Sequence, residues 1–173
     1  VIKRSFKSLA IKSTGKTTLL CALIARFVED GISTAVIKHD GHDFEADPPG
    51  CDTRLLREAG AVWSAISSRE RTAVVWDGAT ALGELIAETP PVELVLVEGY
   101  KQELYPKLVI VRNEEDWNLV RQLSAVTAVV FWPEAWKFRN EMIVPEDMLI
   151  YPLNDTKAIA AHIAGYVCAV SSS

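Results

Sequence analysis

The run Ala10-Ile11-Lys12-Ser13-Thr14-Gly15-Lys16-Thr17-Thr18 has the spacing of a phosphate-binding loop, with Ala in place of the usual first Gly. A triphosphate needs backbone N–H groups turned inward, which a loop entering a helix N-terminus supplies. Gly15 permits close approach, Lys16 suits the β- and γ-phosphates, and the Thr17 hydroxyl suits Mg²⁺. The competing reading, a chance helix start at Gly15-Lys16-Thr17-Thr18, is outweighed by the amphipathic helix that follows. Ala10 demands a backbone with negative φ, because it carries a Cβ where Gly is common.

Such a site needs an acidic group near Mg²⁺ or the attacking water, at the C-terminal end of a neighbouring strand. Glu98, after Leu94-Val95-Leu96-Val97, and Asp40, after Val36-Ile37-Lys38-His39, both fit, although either could be an ordinary solvated carboxylate. Lys101, three residues past Glu98, could approach a phosphate or stand in solvent. His39 and His42 share one loop and have no nearby Cys, so zinc is not expected and Mg²⁺ is the one metal anticipated. Arg54 and Arg57 lie three apart on one helix face, suited to an anionic ligand or a partner subunit, or equally to a solvated salt-bridging face. The Asn-Lys-x-Asp guanine reader does not occur. Asn154 reads as an N-cap rather than a base contact.

The elements that must position these residues are legible in outline. Leu19, Leu20, Leu23, Ile24, Phe27 and Val28 predict a helix over Lys16–Asp30, stopped by Gly31. Strands are expected at 34–38, 62–67, 72–76, 92–97, 107–112 and 125–132. Helices are expected at 52–61, at 78–88 capped by Asp77, at 114–123, and at 155–168 capped by Asn154. The alternation implies an α/β, three-layer P-loop NTPase-like fold with a mostly parallel central sheet flanked by helices. Lys3–Leu9, which should be the strand before the loop, is interrupted by charge, as an edge-like or distorted strand would be. Trp132, Trp136 and Phe138 are expected to pack under a loop rather than to form a partner surface.

The 173 residues, 49% apolar and 24% charged, suit a single domain over 1–170 with a frayed tail at 171–173. A net charge of -5 argues against a nonspecific nucleic-acid surface. The sequence lacks a bilayer-length apolar run, and Val1-Ile2-Lys3-Arg4 lacks the apolar stretch of a signal peptide, so neither membrane nor export is expected. Cys21, Cys51 and Cys168 are widely spaced, and reduced thiols are expected of them.

Taken in order, Lys12 to Leu19, Val36-Ile37-Lys38-His39-Asp40, Pro49 to Arg54, Glu58-Ala59-Gly60-Ala61 and Leu94 to Lys101 resemble the molybdopterin-guanine dinucleotide biosynthesis protein B (MobB) family over most of the chain. Pro106-Lys107 before a strand and Leu153-Asn154-Asp155 before the last helix are similar to it as well. The resemblance implies a cytoplasmic GTP-binding, weakly GTP-hydrolysing accessory protein, usually dimeric, that assists a MobA-like nucleotidyltransferase in attaching GMP to molybdopterin. It implies Lys12, Ser13, Thr14, Gly15, Lys16, Thr17 and Thr18 at the nucleotide, Lys101 at an anion, Asp40 and Glu98 in catalysis, and Thr17, Asp40 and Glu98 around Mg²⁺. The alternatives are a non-hydrolysing adapter that holds molybdopterin or the transferase, and a small-molecule P-loop kinase.

Overall fold

The structure, a computed structural model, describes residues 10–11, 16–141, 145 and 148–169. The chain forms two compact units, the smaller spanning Asp40–Glu84 and the larger taking in the remainder.

The larger unit is built on a six-stranded parallel sheet. Its strands are β1 (Ala10–Ile11), β2 (Thr34–Lys38), β5 (Leu94–Glu98), β6 (Lys107–Val111), β7 (Val126–Phe131) and β8 (Leu149–Pro152), in the order β2-β5-β1-β6-β7-β8. β5 and β6 are buried at every position, which explains their unbroken apolar runs: a parallel strand covered on both faces has no solvent side to leave polar. Side chains alternate between the faces. Leu94, Leu96, Leu108, Ile110, Ala128 and Val130 meet helix α1 (Lys16–Glu29), through Leu19, Leu20, Leu23 and Phe27, and helix α5 (Thr156–Ala169), through Ile159, Ala160 and Ile163. The intervening Val109, Val111, Val129 and Phe131 meet Trp117 and Val120 of helix α4 (Glu114–Val120).

Local chemistry sets the helix ends. Past α1, the Ile32 N–H donates to the Phe27 carbonyl at 2.8 Å while Gly31 turns through φ 73°, an arrangement glycine adopts without a steric penalty. Asn113 caps α4 by accepting the Asp116 N–H at 3.0 Å. The last helix is capped by Asp155, which accepts the Ala158 N–H at 3.0 Å, and not by Asn154 as its sequence position suggests. β8 is not anticipated by the sequence reading. Proline is tolerated at the end of an edge strand, where no ladder donor is needed. Trp132 and Trp136 are half-buried against the α4-side core, as expected, whereas Phe138, in a 3₁₀ turn at Trp136–Glu141, is exposed.

The smaller unit holds α2 (Asp52–Glu58) and an antiparallel hairpin of β3 (Trp63–Ser67) and β4 (Thr72–Trp76), with Trp63 directly opposite Trp76. These two strands pair with each other and form a sheet of their own. The helix expected from Gly78 begins only at Leu82, as α3 (Leu82–Glu88). Gly78 has φ 141°, outside helical space, so Asp77 cannot cap it; the Glu84 carboxylate instead accepts the Ala81 N–H at 3.2 Å.

Among the described residues, two charged side chains are buried in the larger unit, Glu98 and Lys107. Lys107 opens β6 with its side chain buried, and its ammonium donates to the carbonyls of Glu103, Tyr105 (3.1 Å) and Ser124 (3.1 Å). Three acceptors match three donors, which is what lets an ammonium be buried. Burial lowers its pKa, opposed by the nearby Glu103 charge. The Thr127 hydroxyl donates to the Lys107 carbonyl at 3.2 Å and stands 3.2 Å from His162 Nε2, so the proton between them belongs to the ring nitrogen.

Two outcomes follow. Lys107→Met strands three carbonyls, and urea denaturation should show a loss of about 2 kcal/mol; unchanged stability would mean that the carbonyls find other donors. Burial lowers the His162 pKa, so the unfolded chain takes up that proton first. Stability is therefore complete above the unfolded value of about 6.5 and declines as pH falls below it. Thermal melts between neutral and mildly acid pH should show that decline reduced in His162→Gln.

Candidate functional site

Three strand ends lie level at one edge of the larger unit. Ile11 of β1 and Lys38 of β2 are both register partners of Glu98, the last residue of β5. β1 leads towards α1, whose first residue is Lys16. Lys16 Nζ stands 3.4 Å from Glu98 Oε1, and the Glu98 side chain is only 8% exposed. A carboxylate so far removed from water needs a compensating charge, and Lys16 supplies it.

Beyond Glu98 the chain turns sharply against β2. The Glu98 carbonyl accepts the His39 N–H at 2.8 Å, continuing the β2–β5 ladder by one bond. Gly99 follows with φ 100°, and a Cβ there would lie 2.9 Å from His39 Cβ and 3.0 Å from its carbonyl oxygen. Conformation and space both disfavour any other residue. Tyr100 also has positive φ, 48°, and its carbonyl accepts the Glu103 N–H at 3.2 Å. The turn brings the Tyr100 ring to 4.6 Å from the His39 ring, centroid to centroid, tilted by 35°. Burial raises the Tyr100 pKa, and the Glu103 charge adds to the effect.

The expected site residues fall in different places. Lys12, Ser13, Thr14 and Gly15, with the charged segment 3–9, lie outside the described residues. Ala10 lies in β1. Thr17 and Thr18 are exposed in the first turn of α1, and Lys101 is exposed past Tyr100. Asp40 opens the smaller unit, where its carboxylate accepts the His42 N–H at 3.3 Å. Among the described residues no three His, Cys, Asp or Glu side chains converge on a common point. Thr17, Asp40 and Glu98 are of the donor types Mg²⁺ takes, a hydroxyl and carboxylates, the ion commonly keeping waters and phosphate as its other ligands.

The arginine pair is engaged within the smaller unit. Arg54 Nε donates to Glu58 Oε1 at 2.8 Å. Arg57, with 10% of its side chain exposed, is ringed by Glu45, Asp47 at 3.4 Å and Asp77 at 3.6 Å. Both arginines are thus in ion pairs, Arg57 largely shielded from solvent and Arg54 less so. Sequence reasoning missed the His39–Gly99–Tyr100 junction; its one local signal was a glycine directly after the acidic strand end.

The family model for molybdopterin guanine dinucleotide synthesis protein B (MobB) matches residues 6–132. Over 169 residues, 91% of this chain and 90% of the other, the sequence is 38% identical to the molybdopterin-guanine dinucleotide biosynthesis adapter protein of Escherichia coli (strain K12). The fold is similar to the crystal structure of a MobB protein homolog from Bacillus stearothermophilus, with TM-score 0.69 and 26% identity over 94% of this chain and 97% of that one. It is also similar to Bacillus subtilis MobB, with TM-score 0.72 and 23% identity over 92% and 97% of the two chains. The expected three-layer P-loop NTPase-like fold is thus the fold found.

Gly99→Ala should destabilise the larger unit by roughly 2–3 kcal/mol, through forced positive φ together with the His39 contact. Equilibrium denaturation measures this, and a change within error would mean that the turn can relax away from β2.

Proposed function

Since this chain belongs to the MobB family, we propose that it serves molybdopterin guanine dinucleotide biosynthesis as an adapter protein that binds GTP with Mg²⁺ and hydrolyses it slowly. The observation that carries this reading is the Lys16–Glu98 pair, 3.4 Å apart at the C-terminal edge of a parallel sheet. Open α/β sheets take their ligands at that edge. A helix N-terminus adds a favourable field for phosphate.

In this reading the backbone of Lys12 to Gly15 surrounds the phosphates, and Thr18 continues the loop into α1. Lys16 leaves Glu98 for the β- and γ-phosphate oxygens. The exchange is balanced, because the ammonium trades one anionic partner for another. Bound Mg²⁺ would neutralise phosphate charge and order the water that attacks. Thr17 offers its hydroxyl to the ion, while Glu98 and Asp40 orient water around it and accept a proton. Lys101 lies near enough in sequence to Glu98 to meet a further anionic group. Guanine preference rests on family membership, as no base-reading string is present.

The partners in this reading are a MobA-like nucleotidyltransferase, molybdopterin and a second copy of the chain as a homodimer. The cytoplasm is the place of action. No helix among the described residues is long and apolar enough to cross a membrane. The charge-interrupted segment before the phosphate loop favours a second reading, an adapter that holds its partners without hydrolysis.

Isothermal titration with GTP, ATP and GDP in Mg²⁺ separates these readings. Lys16→Ala should weaken GTP binding by about 10- to 100-fold, the loss of one charge-assisted contact. Glu98→Gln, which frees Lys16, should retain GTP affinity yet slow hydrolysis by about a hundredfold. Equal affinity for ATP and GTP would end the guanine assignment, and GTP binding with no turnover in the wild type would favour the non-hydrolysing adapter.

A further inference from the structure

With Lys16 and Glu98 at the terminal phosphates, the strand order decides where the rest of a nucleotide lies. β5 flanks β1 on one side and β6 on the other. On the β5 side the edge is occupied by the Gly99 turn, which is packed against His39. On the β6 side the sheet rises past the phosphate loop. Lys107, the first residue of β6, is level with Ala10, and the strand runs on to Val111. At about 3.3 Å per residue, Arg112 stands roughly 16 Å further along the strand direction than Ala10. The neighbouring strands keep pace with it, because the Val111 carbonyl accepts the Trp132 N–H at 2.8 Å and the Phe131 carbonyl accepts the Leu153 N–H at 2.9 Å. A nucleoside stretched away from Lys16 along this wall carries its base towards Arg112.

Arg112 is held in place and left open at its tip. Its Nε and its backbone N–H both donate to Asp116 Oδ2, at 3.2 and 3.1 Å, and the Asp116 side chain is 12% exposed. Asn113 fixes Asp116 in turn, by accepting its N–H at 3.0 Å. A third of the Arg112 side chain is exposed, and Nη1 and Nη2 have no partner among the described residues. Pinned at Nε, the planar guanidinium presents two parallel N–H donors beyond the strand end. Two adjacent acceptors match them. Glu114, Glu115 and Asp116 follow directly in the chain, so the local charge favours a neutral acceptor edge over a second anion. A 6-oxopurine offers such an edge at O6 and N7, whereas adenine places an amino donor beside N7.

We infer that Arg112 reads the base, its Nη1 and Nη2 donating to O6 and N7 of a 6-oxopurine. The inference rests on the reading that Lys16 and Glu98 mark the terminal phosphates. It goes past that reading by naming a residue and an edge: adenine is rejected through O6 and N7, and the 2-amino group of guanine is not what is read.

The test is isothermal titration of the full chain in Mg²⁺ with GTP, ITP, 7-deaza-GTP and ATP. ITP lacks the 2-amino group and should bind the wild type much as GTP does. The analogue 7-deaza-GTP, without the N7 acceptor, should bind at least about fivefold more weakly. Both comparisons use the unaltered protein and so do not depend on a variant folding. Arg112→Met should bring GTP down to the affinity of ATP and erase the 7-deaza effect. Arg112→Gln, whose amide matches the N6 and N7 edge of adenine, should turn the preference towards ATP. GTP selectivity kept by Arg112→Met, equal binding of GTP and 7-deaza-GTP by the wild type, or a strong wild-type preference for GTP over ITP would each overturn the assignment and leave the phosphate site standing. A wild type that binds none of the triphosphates would sink the nucleotide reading and the base reader with it.

Discussion

A carboxylate at the end of a fully buried strand has to be neutralised, and much of the candidate site follows from how this chain does it. Glu98 ends β5 with 8% of its side chain exposed, and its charge is answered by Lys16 at the start of α1. The pair forms only if strand and helix are both correctly placed. Leu94 and Leu96 of β5 pack in the same cluster as Leu19, Leu20, Leu23 and Phe27 of α1. Hydrophobic contacts thus set the distance at which the two charges meet, and the buried Glu98 carboxylate is costly there without its partner.

The same strand end organises its other neighbour. With Lys38 opposite Glu98 in the ladder, His39 falls beside Gly99, and only the absence of a side chain at Gly99 lets the backbone turn there. One side of β5 therefore meets the phosphate-loop helix and the other an aromatic pair. Away from that edge, the buried Lys107 ammonium ties the 103–105 segment to Ser124 through three carbonyls, closing the entrance to β6 without exposing it to water.

Much of this was legible from residue order. The unbroken apolar runs of β5, β6 and β7 announce strands covered on both faces, and Gly31 marks the end of α1. What was not legible needed information that local sequence lacks. Asn154 and Asp155 are both capable caps, and the choice turns on where the first helical turn closes. Asp77 resembles a cap until Gly78 takes φ 141°. β8 is likewise not anticipated, and Lys107 looks like a solvent-facing strand start because its three acceptors come from two separate segments. Glu98 could be picked out as a strand-end carboxylate, but the His39–Tyr100 pairing depends on the β2–β5 register, which periodicity does not determine.

The central claim is that Lys16 exchanges Glu98 for phosphate when nucleotide binds. A crystal structure with a nonhydrolysable GTP analogue and Mg²⁺ addresses it most directly. The account predicts Lys16 Nζ about 3 Å from β- and γ-phosphate oxygens, with the Glu98 carboxylate turned to the ion's water shell. An analogue bound elsewhere, or bound at the loop while Lys16 stays on Glu98, would contradict it.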